Sequence, residues 1–554
     1  MQRRTHWGLI TGLLLFFWLA LDSLVMDSPT MDEQNHIGRG LAFVRTGDPR
    51  LSMEHPPLVN GLSALPILLL DNVRLPTDDA SWQREPLLFF WYDFAEKLFW
   101  DYNPDQVQLI VFMARLPIVF LGMGLGLLGW HFGRNLHNPR AGLFAAFFIW
   151  FDPNIIAHSR YSTTDLGGTF FLLLALFALW RFYSQPAPSR RAWLALVVAL
   201  GMAFASKLSI LGFVPTFALL ALLPLYGKRW TGRLAVTRLI AYLAAGLCSI
   251  FVVWVLFAFE WGPMLFIDKP LHGYNQFQGP MPTFWAGIER IAVATGAGRQ
   301  SYLLGQFSDS GFATYFPVAL LVKTPVTTLM LWAVSIIVLL ARGSAQRRQT
   351  LFLLIPIVLY FSTTTQSGLN IGYRHLLPVL PLLYIMASGL VPSRWRVDGV
   401  LNWRIFVLLL AVGGSLTAAF RTHPHYVSYF NELIAANEKV QILADSNIDW
   451  GQDLLRLRAW MDDNGVEQVK LSYFGSAEPS RYLNYTPLPG EKRHRDLWWN
   501  VPFDRNNPEA GVYAISIHSL LEMPLQPNEK TVYQWFRNQE PTLTIGSLNL
   551  YIIE

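Results

Sequence analysis

Apolar residues gather into eleven runs that match or approach the length of a membrane crossing, at about 7–26, 107–130, 140–158, 164–183, 192–206, 208–226, 236–259, 314–341, 350–365, 373–391 and 403–420. A transmembrane helix needs about 20 predominantly apolar residues. Only 15% of the 554 residues are charged, where a soluble chain would carry about a quarter. The expectation is a polytopic α-helical membrane protein. The basic Met1-Gln2-Arg3-Arg4 start precedes an apolar stretch with no Ala-x-Ala site after it, so the first run reads as a retained span rather than a cleaved signal.

Orientation follows from the connections, because cytoplasmic loops carry the excess of Lys and Arg. Alternate connections hold Arg3/Arg4, Arg134/Arg140, Arg190/Arg191, Lys228/Arg229/Arg233, Arg342/Arg347/Arg348 and Arg394/Arg396. Eleven spans with the N-terminus inside satisfy the rule throughout. The membrane part then covers 1–420, with long outward segments at 27–106 and 260–313, and 421–554 forms an extracytoplasmic domain. Aromatics in the first segment (Trp82, Phe89, Phe90, Trp91, Phe99, Trp100) suggest interfacial helices. Short β-like runs at 440–444, 469–474 and 511–515, with helical patches between, suggest a small α/β fold for the C-terminal domain. The lone Cys248 rules out an intramolecular disulfide, so packing must hold the outward parts together. The net charge of +5 is dispersed and forms no stripe of the kind nucleic acid selects.

With that topology, unusual polar residues collect on one side. Asp32 and Glu33 follow span one, and His55-Pro56-Pro57-Leu58 lies in the same outer segment. Arg160, Tyr161 and Asp165 fall between spans three and four, Lys207 between five and six, and Tyr373, Arg374 and His375 at the outer end of span ten. Taken singly, each has an ordinary explanation: a solvated carboxylate, a snorkelling anchor, a helix-stopping proline. Their convergence from separate loops is what a site at the membrane surface requires. Arg115 and Lys323 lie half-way down spans two and eight, where a charge needs a partner; buried acids or carbonyls would serve.

At these residues the chain resembles the family-C glycosyltransferases of the protein O-mannosyltransferase and aminoarabinose transferase superfamily. Asp32-Glu33-Gln34-Asn35-His36-Ile37-Gly38 is similar to the Asp-Glu-x-His-Phe-Gly stretch of the mannosyltransferases, with one extra residue before the His. His55-Pro56-Pro57-Leu58 matches their His-Pro-Pro-Leu motif. Arg115-Leu116-Pro117, Asp152-Pro153 through Asp165, Lys323-Thr324-Pro325 and Tyr373-Arg374-His375-Leu376-Leu377-Pro378 resemble pieces of bacterial members. The resemblance covers roughly 1–420. It departs at His55, where aminoarabinose transferases tend to have Lys, and in lacking anything like lumenal trefoil repeats.

The resemblance implies a donor sugar linked through phosphate to a polyprenol, and a GT-C type fold in the plasma membrane with its site on the extracytoplasmic side. Such a reaction needs a base for the acceptor hydroxyl and cations for the leaving phosphate. Asp32 is the candidate base and Glu33 the next; adjacent residues face different ways, so one of them points at the acceptor. Arg374, Lys207, Arg160 and His375 are candidates for the phosphate, Arg offering a fork and Lys a point charge. His55, Asp165 and Tyr373 are candidates for binding or orienting substrate. Direct displacement would invert the anomeric carbon. Asp32, Glu33 and Asp165 could offer hard oxygen ligands to a divalent cation, but no spacing demands one and no cofactor is expected. The acceptor stays open among protein, lipid and glycan. A transporter or lipid flippase is the rival from another class, favoured by Arg115 and Lys323 but not by any matching halves; a sensor using 421–554 and a polymer ligase are further readings.

Overall fold

The computed structural model describes residues 2–83, 90–185, 189–228, 232–264, 278–393, 403–493, 496–498, 501–523 and 530–554; Phe89, Arg229, Arg394 and Arg396 lie outside them. Among the described residues, six helices have the length and hydropathy to cross a membrane: His6–Val25, Pro104–Leu136, Thr164–Ser184, Leu208–Leu225, Gly232–Leu256 and Trp403–Thr422. A seventh candidate is bent by 113° between Tyr315–Lys323 and Val326–Leu340. Pro325 causes the break: it supplies no N–H and pushes its predecessor out of the helical region, and Thr324 is indeed extended.

Helices coincide with the other four apolar runs as well, but these are shorter, interrupted or more polar. Pro139–Trp150 stops, and the chain restarts as Pro153–His158, with Asp152 accepting the first free N–H groups, from Asn154 and Ile155. Arg190–Phe204 has 15 residues. Ser344–Thr365 opens with a polar turn. The stretch 373–391 joins 3-10 turns to the short helix Leu380–Ala387. Eleven apolar runs therefore give six or seven candidate full crossings by length and composition.

The C-terminal part contains a five-stranded sheet in the order Leu543–Ile545, Leu548–Ile553, Gly511–Ser516, Val469–Ser472, Tyr485–Pro487. Val469–Ser472 runs parallel to both neighbours, and the other pairs are antiparallel. The expected strand at 440–444 is instead the helical turn Lys439–Ile442, with Leu443 N–H donating back to the Lys439 carbonyl at 3.2 Å. The neighbouring strand Ser301–Leu303 pairs with Gln306–Ser308 instead, and the run gives it only the Ile442 carbonyl, which accepts from Leu304 N–H at 3.0 Å.

The aromatics of 27–106 are a second correction. Trp82, Trp91, Phe99 and Trp100 are buried in one core with Leu454, Leu457, Leu471 and Tyr473 of the C-terminal part, not spread along an interface. Trp100 Nε1 also donates to Gln34 Oε1 at 3.2 Å. The segment 445–453 ties the two regions together through main-chain bonds from Ser28 to Gln452 and from Met31 to Trp450. Ser446 Oγ donates to the Ile371 carbonyl at 2.6 Å.

Candidate active site

The helix Glu33–Thr46 begins directly after Asp32, ends at Gly47 in the left-handed region, and presents Asp32, Asn35, His36 and Arg39 to one cavity of about 770 Å³. Their spacing is that of one helical face. Gly40 lets this helix lie on the backbone of Pro57–Ala64: a Cβ there would sit 2.0 Å from the Asn60 carbonyl oxygen. The His-Pro-Pro-Leu motif starts that second helix, with Pro57 in the first turn, where a missing N–H costs nothing.

Asp32 Oδ2 accepts from Arg374 Nη1 at 2.7 Å, and about a third of the Asp32 side chain stays exposed to the cavity. The same guanidinium nitrogen lies 3.9 Å from Asp165 Oδ2, and Lys207 Nζ donates to Asp165 Oδ1 at 2.5 Å. Two cations are thus held on one carboxylate beside a second. Gly168 permits this, since a Cβ on it would come within 3.1 Å of Lys207 Cβ. Lys207 itself is extended, between Arg190–Phe204 and the 3-10 turn Leu208–Phe213. Below Arg374, Trp450 presents its ring 4.6 Å from the guanidinium carbon.

Burial by itself would raise the Asp32 carboxyl, but the Arg374 guanidinium outweighs it and holds the group below the ordinary carboxylate range. Burial, with Arg39 nearby, pushes His36 down to about 4, and burial likewise holds His55 well below the usual imidazole range. Both rings are neutral at pH 7. They meet edge-on at 4.5 Å between centroids. His36 Nδ1 pairs with Asn60 Oδ1 at 3.0 Å, and His55 Nδ1 with Thr164 Oγ1 at 3.2 Å.

The cavity therefore brings together Asp32, His55, Asp165, Lys207, Arg374 and His375. It does not bring Glu33, Arg160 or Tyr373. Glu33, wholly buried, takes a forked pair from Arg115 (2.9 Å to Nε, 2.7 Å to Nη2) and also accepts the N–H groups of Thr30 and Ser162. Arg160 bonds Asp27 at 2.9 Å, the Ser23 carbonyl and the Tyr161 hydroxyl, and Asp27 is further paired with Arg456. Tyr373 OH pairs with Thr324 Oγ1 at 3.0 Å, and its N–H donates to Asn447 Oδ1 at 2.9 Å. Lys323 donates to the carbonyls of Val427 and Asn447, at 2.8 and 2.6 Å. The half-way cations Arg115 and Lys323 have found an acid and two carbonyls respectively.

The sequence motifs include His36 but give it no role, and they do not single out Asn60, Arg39, Glu54, Arg290, Arg299 or Trp450. His36 and Arg39 were legible as positions four and seven after Asp32 on a helix. Trp450 sits in the polar string 445–453, but nothing local marks it as lying under Arg374. Arg290 and Arg299 belong to the long segment 260–313 and carry no motif. Among the described residues no group of three or more His, Cys, Asp or Glu side chains could hold a metal ion.

Residues 95–267 match the family of dolichyl-phosphate-mannose-protein mannosyltransferases. The match agrees with the resemblance read from the motifs over that stretch, which includes Arg115, Asp165 and Lys207. None of the curated proteins matches the chain. Among solved structures, ArnT from Cupriavidus metallidurans bound to undecaprenyl phosphate is similar at 13% identity and a TM-score of 0.47, with 99% of this chain and 98% of that one covered. The Archaeoglobus fulgidus oligosaccharyltransferase in its apo form is similar at 11% identity and 0.43, over 78% of this chain and 59% of that one. The S. cerevisiae Pmt1-Pmt2 complex bound to its sugar donor gives 18% identity and 0.35, over 46% and 33%.

Proposed function

We propose that the protein is a glycosyltransferase that takes a sugar from a polyprenyl-phosphate donor and passes it to an acceptor hydroxyl at the extracytoplasmic face of the plasma membrane, inverting the anomeric carbon. The observation that carries the reading is the Asp32–Arg374–Asp165–Lys207 cluster on the wall of a roomy cavity in a membrane protein. The family match over 95–267 supports the donor class.

In this reading Arg374 and Lys207 hold the donor phosphate, with His375 beside them as a neutral contact, and Asp165 positions both cations. When phosphate oxygens engage Arg374, the Asp32 carboxylate is released toward the acceptor. Its Oδ1 is the natural proton acceptor, because only Oδ2 is bonded to Arg374. The acceptor oxygen forms a bond to the anomeric carbon as the bond from that carbon to the phosphate oxygen breaks. The proton passes to Asp32, and the phosphate leaves with the bonding pair. A phosphate is already a stable anion, so no strong acid is needed on the leaving side. His55 and His36, both neutral, suit hydrogen bonds to sugar hydroxyls. Glu33, Arg160 and Tyr373 act at a distance, by fixing the elements that carry the site.

Arg374 and Lys207 can both donate to phosphate oxygens directly, so the reading requires no divalent ion. The test is release of polyprenyl phosphate and transfer of label by the purified protein in liposomes, from a panel of radiolabelled polyprenyl-phosphate sugars to crude envelope acceptors, with and without EDTA. Turnover that persists in EDTA supports the scheme. Label that crosses the bilayer still attached to its carrier supports a flippase instead.

A further inference from the structure

Resting on that reading, we propose that the cavity has a second anion station, built by Arg39, Arg290 and Arg299, which takes a phosphate or carboxylate group on the substrates in addition to the donor phosphate.

The charges in the cavity are unevenly divided. Around Asp32, the two cations Arg374 and Lys207 are matched by the two carboxylates Asp32 and Asp165. Elsewhere, the described lining residues include three arginines, Arg39, Arg290 and Arg299, and one carboxylate, Glu54. Among the described lining residues, the surplus positive charge therefore lies away from the reacting centre. A surplus of one sign inside a low-dielectric concavity focuses the field and draws in a counter-ion.

The station is built rather than incidental. Arg39 is 3% exposed, and Arg290 12%. Glu54 holds both, Arg290 Nε at 2.7 Å and Arg39 Nη2 at a loose 3.3 Å. Both guanidinium carbons lie about 5 Å from the Trp91 ring centroid, at 5.0 and 5.1 Å. Arg39 Nε, although buried, has no acceptor among the described residues. Arg299 is exposed on the cavity wall with no carboxylate at ion-pair distance among the described residues. Two braced forks and one free cation suit a planar, doubly bonded acceptor such as phosphate or carboxylate.

Spacing indicates which part of the substrates reaches it. Arg39 is seven residues beyond Asp32, at the other end of one helix face, which amounts to about 10 Å along the axis. That is too far for the phosphate being displaced at the centre served by Asp32, yet within reach of a group one or two sugar units, or a few residues of peptide, from the reacting carbon. Tyr92 lines the same cavity as Asp32 and Glu54. The anionic group belongs either to the acceptor or to the transferred sugar.

The test separates the two stations. In detergent, the wild type saturated with undecaprenyl phosphate is titrated with inorganic phosphate, and the fluorescence of its tryptophans is followed. Saturable binding is expected, weakened at least tenfold in Arg299→Gln and in Arg290→Gln. Arg299 is exposed, so its variant keeps the fold. Loss of phosphate binding once the polyprenyl phosphate is bound, or binding unchanged in both variants, overturns the second station. In the transfer assay, a rise in the KM for acceptor in Arg299→Gln assigns the anion to the acceptor, and a rise in the KM for donor assigns it to the sugar. Phosphate binding with the expected variant pattern in a protein that transfers no sugar would sink the parent reading and leave the station standing.

Discussion

Asp32 and Arg374, 342 residues apart in the chain, meet in the cavity wall at 2.7 Å. The pair joins the end of the first span to the broken helix at 373–391. It also sets the charge of the group that would act as base. Burial favours the neutral acid, and Arg374 reverses that preference.

This has a consequence for pH. A carboxylate held below its ordinary range stays ionised as the pH falls through 5, and loses its charge only at lower pH. The acid limb of kcat/KM is expected below the usual carboxylate region in the wild type. In Arg374→Gln the largest charge opposing burial is gone, so the limb moves to higher pH. A pH profile of the residual activity of that variant, set beside the wild type, checks the direction.

Glu33 and Arg115 form a pair only 0% and 2% exposed. Removing one partner leaves a buried charge alone, which costs about 3–5 kcal/mol. Glu33→Gln and Arg115→Met should each lower the unfolding midpoint in detergent, with activity falling in step with the amount of folded protein. A folded Glu33→Gln with normal stability and no turnover would show instead that Glu33 takes part in the chemistry.

Gly40 faces the Asn60 carbonyl so closely that a Cβ would sit 2.0 Å from it. The contact is backbone and cannot swing aside. Gly40→Ala should therefore destabilise by about 1–3 kcal/mol and disturb the His36–Asn60 contact. Thermal unfolding gives the first quantity, and a raised KM for donor or acceptor in the surviving protein gives the second.

Trp450, from the C-terminal part, lies under the Arg374 guanidinium at 4.6 Å and is 1% exposed. Such a contact contributes about 0.5–2 kcal/mol. Trp450→Phe keeps a ring in place and should weaken donor binding by up to about tenfold while the protein stays folded. Tightly bound undecaprenyl phosphate in that variant would count against a link between the C-terminal part and the donor site.

Much of this was legible in the sequence, because bilayer crossing and span-end charge leave coarse signatures. The polar residues at 32, 55, 165, 207, 374 and 375 do share a cavity. What the sequence withheld was direction. Asp32 and Glu33 are neighbours, yet one faces the cavity and the other turns to Arg115, and only the packing of Arg115 beside Ser162 and the 24–30 turn decides which. Arg160 was misleading for a similar reason: Asp27 and the Ser23 carbonyl claim it before any ligand could. Trp82, Trp91, Phe99 and Trp100 read as belonging to interfacial helices, because composition alone does not distinguish rings that meet lipid from rings that share a core with the Leu454–Asn464 helix. Arg290 and Arg299 have no local signal; only the fold brings Arg290 to the Glu54 that also holds Arg39.

The most direct test is single-turnover transfer by Asp32→Asn, with donor binding measured on the same preparation. The substitution keeps shape and removes the base, so label transfer should fall by about 10²–10⁴, the usual worth of a general base, while the protein stays folded and binds undecaprenyl phosphate. Transfer by a folded Asp32→Asn at the wild-type rate would contradict the assignment of Asp32 and, with it, the catalytic arrangement built on the Asp32–Arg374 pair.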